Sequence, residues 1–156
     1  MTLTTRVPRS ARLAALTLSM LALGACSTEV ADTHPEQPVS KRQEAFKGML
    51  RSFEPMGTML KEGRYDPERF TRHAGEVAAL KEAPWPHFGP DTNYPPTKAL
   101  AAVWDRPEDF ARLRSKFIAT IDALVAAAAS REEAQVRSAF AAAQDSCKAC
   151  HRDFRK

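Results

Sequence analysis

Apolar residues recur at helical spacing along most of the chain. Phe46, Met49, Leu50, Phe53, Met56 and Leu60 fall three and four apart, which predicts a first helix. The run SKRQ has the form of a capping box, so that helix is expected to start at Ser40, with Gln43 reaching back. Pro55 lies inside the pattern. It lacks an amide hydrogen and crowds the preceding turn, which predicts a kink or an early end. A second helix is expected from Asp66, Pro67 and Glu68, with Phe70, Ala74 and Val77 on its face and a stop before Pro84. A third begins near Asp105 and Pro107 and carries Phe110, Leu113, Phe117, Ile121, Leu124 and Ala128. A fourth opens on SREE, where Ser130 and Glu133 form another capping box, and runs through Phe140 towards the C-terminus.

No stretch alternates apolar and polar residues over the length of a strand. The run APWPHFGPDTNYPPT, rich in proline, makes a long connection between helices two and three. The other connections are short, so their helices should pack antiparallel. The fold class is therefore all-α, an antiparallel four-helix bundle, without internal repeats.

Ahead of the bundle the pattern changes. MTLTTRVPRSAR carries Arg6, Arg9 and Arg12 and no acid, and an apolar run follows from Leu13 to Ala25. A basic segment before a short apolar one is the pattern of a secretory signal. The run falls short of the about 20 residues that span a bilayer. It ends LGAC, which resembles the lipobox of bacterial lipoproteins, with cleavage before Cys26 and lipid on its sulfur. The expected organisation is a signal peptide over 1–25, a flexible tether over 26–39 and the bundle over 40–156, in a periplasmic protein held at a membrane by lipid on Cys26. A coil of about 13 residues reaches roughly 20 Å, enough to stand a domain off a surface.

This reading also changes the charge. The full chain of 156 residues has a formal net charge of +4, with 23 basic and 19 acidic residues. Three of those basic residues lie in the discarded segment, which leaves the remainder close to balance. The composition gives no reason to expect a nucleic-acid partner.

Of the three cysteines, Cys26 is assigned to lipid, and the other two stand in SCKACHRDFRK at the C-terminus. On a helix Cys147 and His151, four apart, share a face that Phe140 and Phe154 extend, with Cys150 one turn on and offset. Two thiols can add to the two vinyl groups along one haem edge while the adjacent imidazole reaches the iron. C-x-x-C-H is the signature of c-type haem attachment. Three alternatives compete. A thioredoxin-type dithiol wants a βαβ setting, which the pattern lacks. A structural zinc site wants four ligands, and His34, His73 and His87 are scattered over the chain. A plain disulfide would have no use for His151.

With these pieces in place, the chain resembles cytochrome c′, the class II c-type cytochromes, over about residues 38–156. RQEAF resembles the family's arginine–glutamine entry to its first helix, APWPHFGP its inter-helix loop, and SCKACHRDFRK its haem segment with a basic residue four past the histidine. The resemblance implies one covalently attached haem c, thioethers at Cys147 and Cys150, and His151 as the axial iron ligand. It implies Arg42 beside the haem propionates, where a solvated first-turn residue is the alternative. It places Arg155 near the proximal face, where a frayed terminus is the alternative. It also implies a homodimer contact through the first two helices.

The most informative position is four after Arg42. Methionine-ligated members of the class bind iron from there, whereas this chain has Phe46, which has no donor atom. The haem is expected to be five-coordinate, with an apolar pocket opposite His151, and Met49 is read as core. The expected function is binding of small diatomic gases, nitric oxide and carbon monoxide, together with Fe(II)/Fe(III) electron transfer. The alternative is a low-spin, methionine-ligated electron carrier with a periplasmic redox partner. Enzymatic peroxide cleavage wants a distal acid–base group, which Phe46 does not supply.

Overall fold

The computed structural model describes residues 30–156. The signal segment and Cys26 lie outside the described residues. Five α-helices follow: α1 Pro38–Lys61, α2 Pro67–Leu80, α3 Ala102–Asp105, α4 Pro107–Ser130 and α5 Glu133–Phe154, with a 3-10 turn at Trp85–His87. The four long helices form the expected bundle, and α3 is a single turn braced on α4 and α5.

Cross-helix contacts fix the directions. Ser52 on α1 donates to Glu76 on α2, and Gly48 lies against Leu80. Thr71 reaches the Ala128 carbonyl, and Lys81 pairs with Asp122, so α2 and α4 run antiparallel. Thr120 meets Ser146 across α4 and α5. By this sequence of reversals, α5 runs antiparallel to α1 as well. The main core gathers Met49, Met56, Phe70, Val77, Phe117, Ile121, Leu124, Val136 and Phe140 between the four. Met49 is 6% exposed and belongs to that core, as its helical spacing predicts. No helix among the described residues is long and apolar enough to cross a membrane.

The helix ends depart from the predicted caps in two places. α1 starts at Pro38, not Ser40, behind Gln37 in the left-handed region at φ 47°. Asp32, eight residues before Ser40, supplies the cap: its Oδ2 accepts from the Ser40 amide at 2.8 Å. A carboxylate at the positive end of a helix satisfies an orphan amide and meets the dipole. Nor does Ser130 open α5. It closes α4, donating to the Ala127 carbonyl, and Arg131 at φ 62° makes the reversal. Asp66 caps α2 as expected, accepting from the Arg69 amide. α1 continues through Pro55 to Lys61, so the expected early end does not occur.

The segment read as a free tether is docked from Asp32 onward. The Tyr94 hydroxyl donates to Asp32 Oδ1 at 2.9 Å, and the His34 ring stacks on Tyr94 with centroids 6.2 Å apart. At the other terminus the Leu100 amide donates to the Phe154 carbonyl and the Lys156 amide to the Lys98 carbonyl, with Ala99 and Arg155 bridged. The C-terminus is thus paired rather than frayed.

Candidate functional site

The C-terminal half of α5 lies across two apolar clusters. Cys147 packs on the main core. Cys150 packs with Ala149 on a second cluster built on Val103, Leu113 and Phe154. Both thiols are free and half-buried. His151 is exposed at the margin of the buried stripe, which runs through Phe140, Ala143, Ser146 and Phe154. The expected shared face is thus resolved into two thiols turned inward and an imidazole at their edge.

Their chemistry follows from burial. Burial pushes the Cys147 thiol up, with a partial offset from the Ser146 hydroxyl. Burial, then the neighbouring Cys147 and Asp153, push Cys150 up to about 11. Both are therefore neutral thiols at ordinary pH, poor as metal-ligating thiolates. Burial and then the charge of Arg155 lower His151, which keeps its imidazole neutral and its lone pair free for a metal. Arg155 thereby acts on the histidine, as its position four residues on suggests.

No group of three or more His, Cys, Asp or Glu among the described residues could hold a metal ion by itself. That disfavours zinc and fits a metal delivered within a prosthetic group. Two protonated thiols one turn apart, a neutral imidazole beside them and aromatic walls form a donor set that suits haem c.

Opposite the cysteines stands an aromatic wall whose extent the sequence did not disclose. Phe46 on α1 meets Trp85 edge-on at 5.6 Å and Phe88 at 6.4 Å. Trp85 reaches Phe117 on α4 at 5.8 Å, and Phe88 lies 5.1 Å from Phe110. Phe110 in turn meets Phe154 on α5 at 5.3 Å, which closes the wall onto the C-x-x-C-H segment. The only signal in the sequence was the density of aromatic residues in APWPHFGP.

The level of Phe46 along the bundle is set by a second contact. Phe53 stacks on Phe140 with centroids 4.4 Å apart, so α1 and α5 touch there. Phe46 is seven residues before Phe53 and Cys147 is seven after Phe140. In antiparallel helices both lie about 10 Å from the stacked pair, in the same direction. Phe46 is therefore level with Cys147.

Arg42 is neither solvated nor on the surface. It is 2% exposed, and both terminal nitrogens are engaged: Nη1 with the His87 carbonyl and Thr92 Oγ1, Nη2 with the Thr92 carbonyl and Thr97 Oγ1. Its guanidinium lies 4.6 Å above the Phe88 ring.

Residues 37–155 match the family model of cytochrome c′. The chain is 32% identical over 123 residues to the cytochrome c′ of Alcaligenes xylosoxydans xylosoxydans, covering 78% of this chain and 95% of that one. The solved cytochrome c prime of Shewanella frigidimarina superposes with a TM-score of 0.76 at 34% identity, over 80% of this chain and 98% of the other. A carbon monoxide-bound variant of cytochrome c prime from Alcaligenes xylosoxidans gives a TM-score of 0.74 at 31% identity, over 81% and 99%. A ferrous variant from the same organism, with nitric oxide bound, gives 0.74 at 30% identity, over 80% and 97%.

Proposed function

This chain belongs to the cytochrome c′ family, whose members carry one covalently attached haem c, and from that premise we propose that it is an exported protein that binds small diatomic gases and exchanges electrons. Cys147 and Cys150 would hold the group through thioethers, and His151 would ligate its iron. Haem c supplies there an iron that alternates between ferrous and ferric and can take nitric oxide or carbon monoxide. The buried charge of Arg42 favours an anionic propionate nearby.

The observation that carries the reading is the level of Phe46. Phe46 is level with Cys147, at the position from which methionine-ligated members of the class bind iron, and it has no donor atom. Trp85 beside it spends its indole N–H on the Lys81 carbonyl at 2.7 Å. Met49, the nearest thioether on α1, is packed in the core. Phe46, Trp85 and Met49 would thus supply neither a side-chain ligand to the iron nor a hydrogen bond to bound dioxygen, a lack that matters less to nitric oxide. The carbon monoxide and nitric oxide complexes of the similar Alcaligenes protein support the same reading.

An optical spectrum of the reduced protein tests it. We expect a high-spin ferrous spectrum that shifts on adding carbon monoxide. A low-spin spectrum indifferent to carbon monoxide would hand the function to the methionine-ligated electron carrier. The export signal supports a periplasmic location, and LGAC supports lipid on Cys26, for which an unmodified N-terminus in the mass spectrum is the contrary result. Leu50, 46% exposed on α1, is consistent with a homodimer through the first two helices.

A further inference from the structure

We propose that Arg42 is the positioning residue that sets how fast gas reaches the site, because it clamps the loop carrying one aromatic wall of the pocket. The proposal rests on the gas-binding reading and adds a control to it.

The observations converge on the segment from His87 to Thr97. This segment connects the 3-10 turn to α3 and has no regular structure to hold it. One buried guanidinium takes four oxygens from it, at 2.8 and 3.0 Å to Nη1 and at 2.9 and 2.7 Å to Nη2. The four contacts span both ends of the loop, so Arg42 draws them together. The next residue, Gln43, donates to the Pro96 carbonyl at 3.0 Å and adds a fifth tie. Thr92 also donates to the Gly89 carbonyl, which accepts from the Trp104 indole as well.

The clamp acts on the pocket directly. The Arg42 guanidinium covers Phe88 at 4.6 Å and approaches Trp104 at 5.7 Å. Phe88 stacks on Trp85 at 6.2 Å and packs in the cluster that holds Cys150. The guanidinium over its ring and Trp85 stacked against it leave Phe88 little room to swing. Since Phe46 is anchored to Trp85 and Phe88, how far its ring can move depends on how rigidly that pair is held.

The chemistry requires arginine. A planar fork can serve four oxygens at once, whereas a lysine ammonium is compact and has three donors. Both Nη atoms are committed to the loop. A direct role on a haem propionate would therefore have to compete with these bonds, and the two roles are separable.

The test uses the haem-loaded, ferrous protein and carbon monoxide in stopped flow. The variants are Arg42→Lys, Arg42→Gln and the pair Thr92→Ala with Thr97→Ala, which removes hydroxyl acceptors and leaves Arg42 in place. We expect carbon monoxide association to rise roughly tenfold in all three, the change that about 1.4 kcal/mol off the barrier produces. Far-ultraviolet circular dichroism and the covalently bound haem should stay unchanged. Rates within about twofold of wild type in the threonine pair overturn the clamp, whatever the Arg42 variants do. Acceleration in the Arg42 variants alone would mean direct action on the haem. Should the Arg42 variants fail to fold, the threonine pair decides the question. A wild-type protein that takes up no carbon monoxide sinks the gas-binding reading, a result distinct from unchanged rates among the variants.

Discussion

The Phe53 ring lies flat on Phe140, with 19° between their planes, and this pair joins α1 to α5. Gly57 makes this contact possible, since a Cβ there would stand 3.1 Å from Phe140 Cζ. Away from the cysteines, α1 and α5 are thus held together by a glycine and an aromatic pair. At the level of the cysteines, Phe46 on α1 packs instead against the rings of Trp85 and Phe88.

That asymmetry can be measured with two glycines. Gly75 lies inside α2, with nothing within 4 Å of its missing Cβ. Gly75→Ala should stabilise the protein by about 0.5–1 kcal/mol through helix propensity alone. Gly57→Ala gains the same propensity but presses on a ring already held by Phe53, and overpacking costs about 1–3 kcal/mol. The expected net is a loss of about 1 kcal/mol. Urea denaturation of the two variants gives both signs, and equal stabilisation would show that the Phe140 contact is not tight.

Phe46 is the residue whose replacement should change behaviour most. Phe46→Met places a thioether level with Cys147, and the ferrous spectrum should move towards low spin. Phe46→Ala should open the wall and speed carbon monoxide association, at a stability cost of about 3 kcal/mol, the lower end for losing a core phenyl ring. If wild type and Phe46→Met give the same high-spin spectrum, position 46 does not look onto the iron.

Replacing both Cys147 and Cys150 by Ala should abolish covalent attachment. Acid–acetone should then extract all haem from the variant and none from the wild type. Haem that resists extraction from the variant would remove these two residues from the assignment.

The docked N-terminal segment should come loose in acid. Burial alone would raise the Asp32 carboxyl, but hydrogen bonds from the Ser40 amide, the Tyr94 hydroxyl and the His34 amide outweigh it and hold it below its ordinary value of 3.8. A depressed carboxyl contributes stability above its unfolded value and loses it as pH falls through the folded one. Thermal melts of wild type and Asp32→Asn should therefore differ at pH 6 and converge below about pH 3.8. A gap that persists at pH 2 would mean that shape, not charge, holds the segment.

Much of this molecule was legible in its sequence, for local reasons. Helical spacing gave the four long helices, Asp66–Pro67–Glu68 gave a true start, and the terminal C-x-x-C-H run pointed to the family that the comparisons show. The failures are of one kind. Ser40 and Ser130 had the right neighbours for capping boxes, yet a carboxylate from Asp32 took the first, and a left-handed Arg131 displaced the second. The solvated alternative for Arg42 also fails, because its four acceptors lie 45 to 55 positions away and bury it. Contacts made across a long loop leave no periodic trace.

The tie between Asp32 and Tyr94 also sets a length. Were the whole tether free, a lipid on Cys26 would let the cytochrome wander at the end of its leash. With Asp32 fixed, only the six residues from Cys26 remain, a reach of at most roughly 20 Å fully drawn out. Tyr94 belongs to the same loop as the clamped wall. A lipid on Cys26 would thus hold the aromatic end of the bundle down towards the bilayer, with the Phe53–Phe140 pair on the side away from it. Nitric oxide is more soluble in lipid than in water, so a pocket moored in this attitude would sample gas from the richer phase.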